Sequence, residues 1–302
     1  MSQNEANIRS TLGLLSGALV WGLMWYPLRI FSGWGIDGPF ASAIIYGLGI
    51  FLPITFTTFT WKVLRTNAVL LLAIGLASGA TNLGFIMAVI HGQVMRVVLL
   101  FYLAPLWTVL FSKMFLREAL RPAGYVLMVI AIIGAAFMLW RPELGMPLPE
   151  NSSEWLALVS GILFALMNVL SRKAAYLDFS LRSSIVCAGV FVIGMLVFLV
   201  EGEPLKLAVP FQGWFLVVIV GILVSVSNLF VQYGLTYTSA NRAVLIFLIE
   251  LIVAGLSSWL IAGEVMNARE WFGGGCIVFA GIMASIIPLN QPLNALEKNS
   301  LD

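Results

Sequence analysis

Hydrophobic positions along this chain fall into ten runs of about twenty residues, nearly free of charge and separated by short polar connectors. A helix crossing a hydrocarbon core of roughly 30 Å needs about twenty apolar residues and must satisfy its own backbone hydrogen bonds, so each run predicts a transmembrane helix. The first five expected spans are Leu12 to Phe31, Pro39 to Thr60, Ala68 to Ile90, Met95 to Phe115 and Pro122 to Trp140. The second five are Trp155 to Ser171, Leu181 to Val200, Gly213 to Tyr237, Ala240 to Ile261 and Trp271 to Pro288. The fold class expected is therefore an all-α integral membrane protein with ten transmembrane helices.

The pattern repeats. A shift of 146 positions aligns Gly75 with Gly221, Asn82 with Asn228, Arg96 with Arg242, Phe101 with Phe247, Ser112 with Ser258 and Glu118 with Glu264. A shift of 144 brings Ser16-Gly17 onto Ser160-Gly161 and Arg29 onto Lys173. Each half holds five spans, an odd number, so the second half enters the membrane in the opposite sense to the first. Inverted repeats of this kind exchange conformations around a site near the midplane, which points to alternating access. The expected organisation is a first repeat over 1–141, a linker over 142–153 carrying Gly145, Pro147 and Pro149, a second repeat over 154–289 and a polar, disordered tail from 290.

Composition excludes a soluble fold: 61% of residues are hydrophobic, 10% are charged and mean hydropathy is +1.01, whereas soluble domains carry about 25% charged residues. The first apolar run is long and lacks a small-residue cleavage site, so it is expected to be a retained helix rather than a signal peptide. Basic residues are lopsided. Arg9, Lys62, Arg65, Lys113, Arg117, Arg121, Arg172, Lys173, Arg182, Arg242 and Lys298 fall on the side of the N-terminus, against Arg29, Arg96, Arg141, Lys206 and Arg269 on the other. Both termini are therefore expected in the cytoplasm. The net charge of +2 reflects this topology and calls for no nucleic-acid partner. Cys187 and Cys276 lack metal or redox spacing.

With ten helices in two inverted halves and a Glu opening the last connector of each, the chain resembles the drug/metabolite transporter (EamA-like) superfamily along nearly its whole length. More narrowly, Leu19-Val20-Trp21, Tyr102-Leu103-Ala104-Pro105 and Ser171-Arg172-Lys173 resemble the YddG-type aromatic amino acid exporters. The resemblance implies a bacterial inner-membrane exporter of aromatic and other neutral amino acids, with a cavity walled by helices 1, 3, 4, 6, 8 and 9. Ala104 and Phe164 stand where such exporters tend to carry Trp, which implies a roomier cavity and a broader substrate range.

Glu250 is the clearest candidate for chemistry. It lies near the midplane of the ninth span without Lys or Arg within a turn, and an intramembrane carboxylate is costly enough to mark function by default. It either binds the substrate ammonium or shuttles a proton, or it stays protonated and braces two helices. Ser78, Asn82, Asn168, Asn228 and Gln232 offer donors and acceptors without buried charge, as a zwitterion requires; equally, amides and hydroxyls hold transmembrane helices together. Trp21, Tyr102 and Phe164 are candidate aromatic walls, although Trp and Tyr also gather at membrane interfaces. Pro27 and Pro105 interrupt the first and fourth helices and allow kinks suited to gating. The small-residue pairs Gly13/Gly17, Gly75/Gly79 and Gly221/Ser225 are expected at close helix crossings. Arg96 and Arg242 at helix mouths are expected to snorkel to headgroups or anchor loops, with anion capture as the alternative.

A phosphate-carrying substrate requires mid-helix basic residues, and an enzyme requires a polar constellation; neither is present in the sequence. No cofactor, ATP-binding domain or sodium motif is legible, so coupling is left between proton antiport and facilitated diffusion. A multidrug or metabolite exporter of the same superfamily, and a sensor or structural membrane protein, are the alternatives. A small-molecule substrate and the bilayer are the expected partners, and a monomer is compatible with the pattern.

Overall fold

The computed structural model describes residues 3–36, 38–57, 60–92, 94–140, 148–201, 208–263 and 267–292. The first half comprises α1 (Gln3–Leu23), α2 (Trp25–Gly33), α3 (Gly38–Phe56), α4 (Trp61–Thr66), α5 (Ala68–His91), α6 (Val94–Phe101), α7 (Ala104–Phe111) and α8 (Pro122–Leu139). The second comprises α9 (Ser152–Lys173), α10 (Phe179–Glu201), α11 (Phe211–Tyr237), α12 (Ala240–Phe247), α13 (Ile249–Ser257) and α14 (Ala268–Ile286). Nine of the spans among the described residues are long and apolar enough to cross a membrane. The tenth, α14, has 19 residues, but Arg269, Glu270 and the run Gly273 to Gly275 dilute its hydropathy. Large side chains such as Val69, Val200 and Phe211 are exposed, as lipid-facing positions are.

Three spans are broken, and two breaks have a local cause. Proline lacks the N–H that would bond the carbonyl four residues back and clashes with it. Pro27 and Pro105 act on Leu23 and Phe101, the last residues of α1 and α6. The third break, at Leu248 between α12 and α13, has no proline nearby but lies 146 residues after the break at Tyr102. The repeat reaches finer detail still. α7 and α13 both run into a π turn, Ser112–Leu116 and Ser258–Ala262, each closed by a left-handed residue, Arg117 (φ 55°) and Gly263 (φ 72°).

Packing mirrors the sequence repeat. Pairing of α5 with α9 is matched by α11 with α1, α10 with α5 by α3 with α11, and α9 with α6 and α7 by α1 with α12 and α13. The pairs α3 with α10 and α8 with α14 map onto themselves. Two equivalent bundles result: α5, α6, α7 and α9, and α11, α12, α13 and α1. Their crossings are tight at small residues. A Cβ on Gly189 would lie 2.0 Å from the Gly75 carbonyl oxygen, one on Gly161 2.5 Å from that of Phe101, and one on Gly13 2.4 Å from that of Phe230.

The segment after the last span departs from expectation. Asn290–Pro292 is a short strand, β2, antiparallel to β1 (Glu118–Leu120), so the first residues of the anticipated disordered tail are ordered by a ladder with the α7–α8 connector. Residues 293–302, Arg141, the first half of the linker (142–147) and Glu264 lie outside the described residues.

Candidate functional site

The site assembles where two broken spans face each other. Glu250 stands two residues past the break at Leu248 and is half-buried. The Tyr102 hydroxyl, from the break between α6 and α7, is within hydrogen-bonding reach of its carboxyl. At both breaks the backbone tightens to i→i−3 bonds, Leu103 N to Leu100 O and Leu251 N to Leu248 O, which turns these residues out of the regular helix. Among the described residues no Lys or Arg forms an ion pair with Glu250.

Helices α1, α3 and α5 extend this polar centre. Tyr46 of α3 lies within electrostatic range of Glu250, and its ring stacks on Trp21 at 6.0 Å with planes 20° apart. The Asn82 amide of α5 donates to the Tyr46 hydroxyl at 3.5 Å and accepts from Ser42 at 2.8 Å. Trp25, one turn past Trp21, donates its indole N–H to Ser257 at 2.9 Å. Phe164 closes the floor between Phe101 and Phe247, with centroids 5.4 and 5.9 Å away. Behind Tyr102 an apolar pocket of roughly 230 Å³ is lined by Leu99, Leu103, Ile132, Ala135, Ala136 and Trp140.

The remaining predicted polar residues are held in helix contacts. Ser78 donates to Gly75 O at 2.8 Å and to Val186 O at 3.2 Å. Asn168 donates to Phe164 O on its own helix at 2.9 Å, and Asn228 to Cys187 Sγ at 3.4 Å. Gln232 accepts from the buried Arg182 through its side chain and its backbone carbonyl. Trp21, Asn82, Tyr102, Phe164 and Glu250 are thus brought to one centre, whereas Ser78, Asn168, Asn228 and Gln232 spend their hydrogen bonds on packing.

Of the two roles expected for Arg96, the structure shows the loop anchor rather than the snorkel: it is 7% exposed, pairs with Glu154, 2% exposed, at 2.8 Å and with Glu150 at 3.3 Å, and donates to Leu148 O at 2.8 Å. Its repeat partner Arg242 is half-buried and donates to Ile287 O at 3.0 Å. The Glu118 carboxyl, at the connector, accepts from Asn290 at 2.7 Å. Burial pushes the Glu118 carboxyl above its ordinary range, against the opposing pull of Arg172 and that Asn290 bond.

Residues 151–286 match the EamA-like transporter family. An uncharacterized transporter of Pseudomonas aeruginosa is 30% identical over 117 residues, 38% of this chain and 37% of that protein. An uncharacterized transporter of Archaeoglobus fulgidus is 25% identical over 216 residues, 70% of this chain and 74% of its own length. The chain thus aligns with little more than a third of the first relative. A crystal structure of a protein 19% identical superposes with a TM-score of 0.73, covering 92% of this chain and 96% of the other. The fold is shared with that protein, and the chain is a multi-pass membrane protein with transporter relatives.

Sequence reading missed Tyr46 and Ser42, both on the second span, which carries no charge or unusual spacing to flag it. Their i, i+4 relation, which puts them on one helix face, was the available signal.

Proposed function

We propose that this protein is a secondary transporter that exports aromatic and other neutral amino acids across the bacterial inner membrane by alternating access, with both termini cytoplasmic. The observation that carries this reading is a carboxylate, Glu250, facing Tyr102 at the meeting of two broken helices, with no ion-pair partner among the described residues. Broken half-helices at a repeat interface are where transporters place their sites. Glu250 with Tyr102 meets the substrate ammonium, Asn82 meets the carboxylate, and Trp21, Tyr46 and Phe164 pack the side chain.

Purified protein in liposomes, given labelled tryptophan, methionine, threonine and a cationic drug with and without a pH gradient, tests the proposal. Amino acid flux is expected in the wild type, and a weaker but measurable flux in Glu250→Gln. Drug flux without amino acid flux overturns the substrate assignment. A pH-gradient dependence present in the wild type and absent in Glu250→Gln assigns coupling to Glu250; flux indifferent to the gradient assigns facilitated diffusion.

A further inference from the structure

The two bundles meet unequally at the two membrane faces. On the face bearing the N-terminus, α7 packs on α12 and α9 packs on α11 and α12. The mirror pairings on the opposite face, α6 with α13 and α1 with α5 and α6, have no comparable backbone approach among the described residues. The closed face is also tied by polar bonds that cross from bundle to bundle. Arg172 of α9 donates to the Leu235 carbonyl at 3.2 Å and to that of Thr236, and Ser112 donates to Asn241 Oδ1 at 3.1 Å.

We propose that the C-terminal strand is a latch that holds this face closed, with Asn290 as its bolt. The Asn290 side chain donates to Glu118 at 2.7 Å, behind α7 in one bundle, and accepts from Asn241 Nδ2 at 3.2 Å, at the start of α12 in the other. Backbone bonds set it in place: Arg121 N to Leu289 O at 2.7 Å, and the β1–β2 ladder. Arg242 adds a second tie from α12 to Ile287 O. An amide suits this position because it donates to a carboxylate and accepts from another amide at once. The repeat does not supply the same device at the other face, since the position equivalent to Asn241 is Met95. The latch therefore biases the molecule toward opening on the face away from the termini, and substrate entry from the side of the termini requires the bolt to draw. This inference rests on the alternating-access reading but not on the substrate.

Spin labels at Lys113 and Tyr237 report the latched face, and labels at Arg29 and Ile90 the opposite one; all four positions are exposed. Each pair is placed in full-length protein with Cys187→Ala and Cys276→Ala, and distances are measured by pulsed electron resonance without substrate. Asn290→Ala and, separately, Asn241→Ala are expected to add a longer Lys113–Tyr237 population and a shorter Arg29–Ile90 one. The open-to-closed ratio at the latched face is expected to rise on the order of fivefold, the effect of losing roughly one hydrogen bond. Distances unchanged in both folded variants overturn the latch, and so does lengthening at the latched face without shortening at the other. Shifted distances with no amino acid flux leave the latch standing and overturn the substrate assignment alone.

Discussion

At the scale of single residues, the carboxylates of this protein do different work because their surroundings differ. Glu250 faces Tyr102 and, among the described residues, pairs with no cation, which leaves it free to take a charged ligand. Tyr102→Phe removes one donor to that carboxylate and is expected to weaken substrate binding on the order of tenfold, measured by isothermal titration or flux competition, since a hydrogen bond to a charged group contributes about 1.5–3 kcal/mol. Glu154 is bound by Arg96, the Glu150 backbone and Asn151. Breaking a buried pair from one side costs up to roughly 3–5 kcal/mol when a bare charge stays behind, and less here because Arg96 keeps the exposed Glu150 at 3.3 Å and the Leu148 carbonyl. Glu154→Leu is therefore expected to lower the melting temperature in detergent, and Arg96→Met/Glu154→Leu together to recover most of the loss. Glu118 titrates in the opposite sense to an ion-paired acid. Its raised folded value means the native state holds the proton longer than the unfolded one, so its contribution to stability is highest at low pH and falls as pH rises from the ordinary carboxylate value through the raised one. Glu118→Gln is expected to flatten that decline in a series of melting curves.

At the scale of elements, the helices owe their ends to local chemistry and their neighbours to small residues. Asn267 caps α14 by accepting from Arg269 N and Glu270 N while Glu270 returns to Asn267 N, a reciprocal arrangement that fixes where the last helix begins. Gly161 lets α9 lie against the Phe101 carbonyl, where a Cβ would sit 2.5 Å from the oxygen. Overfilling such a contact typically costs 1–3 kcal/mol. Gly161→Val is thus expected to reduce thermal stability by about that much, measured as a lower melting temperature in detergent. The same substitution at Gly33, which has nothing within 4 Å of its Cβ position, is expected to leave stability near wild type.

At the scale of the molecule, two repeats of nearly the same sequence pattern adopt unequal packing. Repeat-equivalent Asn82 and Asn228 record the inequality: the first is half-buried beside Tyr46, the second buried against Cys187. With the opening on the face away from the termini, a cysteine at Asn82 is expected to react far faster than one at Asn228 with a membrane-impermeant thiol reagent applied to that face. Equal rates would contradict the packing asymmetry.

The spans, the repeat at a shift of 146 and the interruptions at Pro27 and Pro105 were legible in the sequence, because apolar length, duplication and proline act over a few neighbouring residues. Glu250, Trp21, Asn82 and Tyr102 were also legible as candidates, since polar and aromatic residues stand out in apolar runs. Their partners were not. Whether Gln232 faces a ligand or Arg182, whether Arg96 reaches lipid or Glu154, and whether Asn290 is tail or strand depends on which helices meet, across separations of 50, 58 and 172 residues. Hydrogen-bond satisfaction in a membrane is a property of the assembled bundle, so the sequence by itself determined what crosses the bilayer and the tertiary structure alone decided which polar groups are already taken.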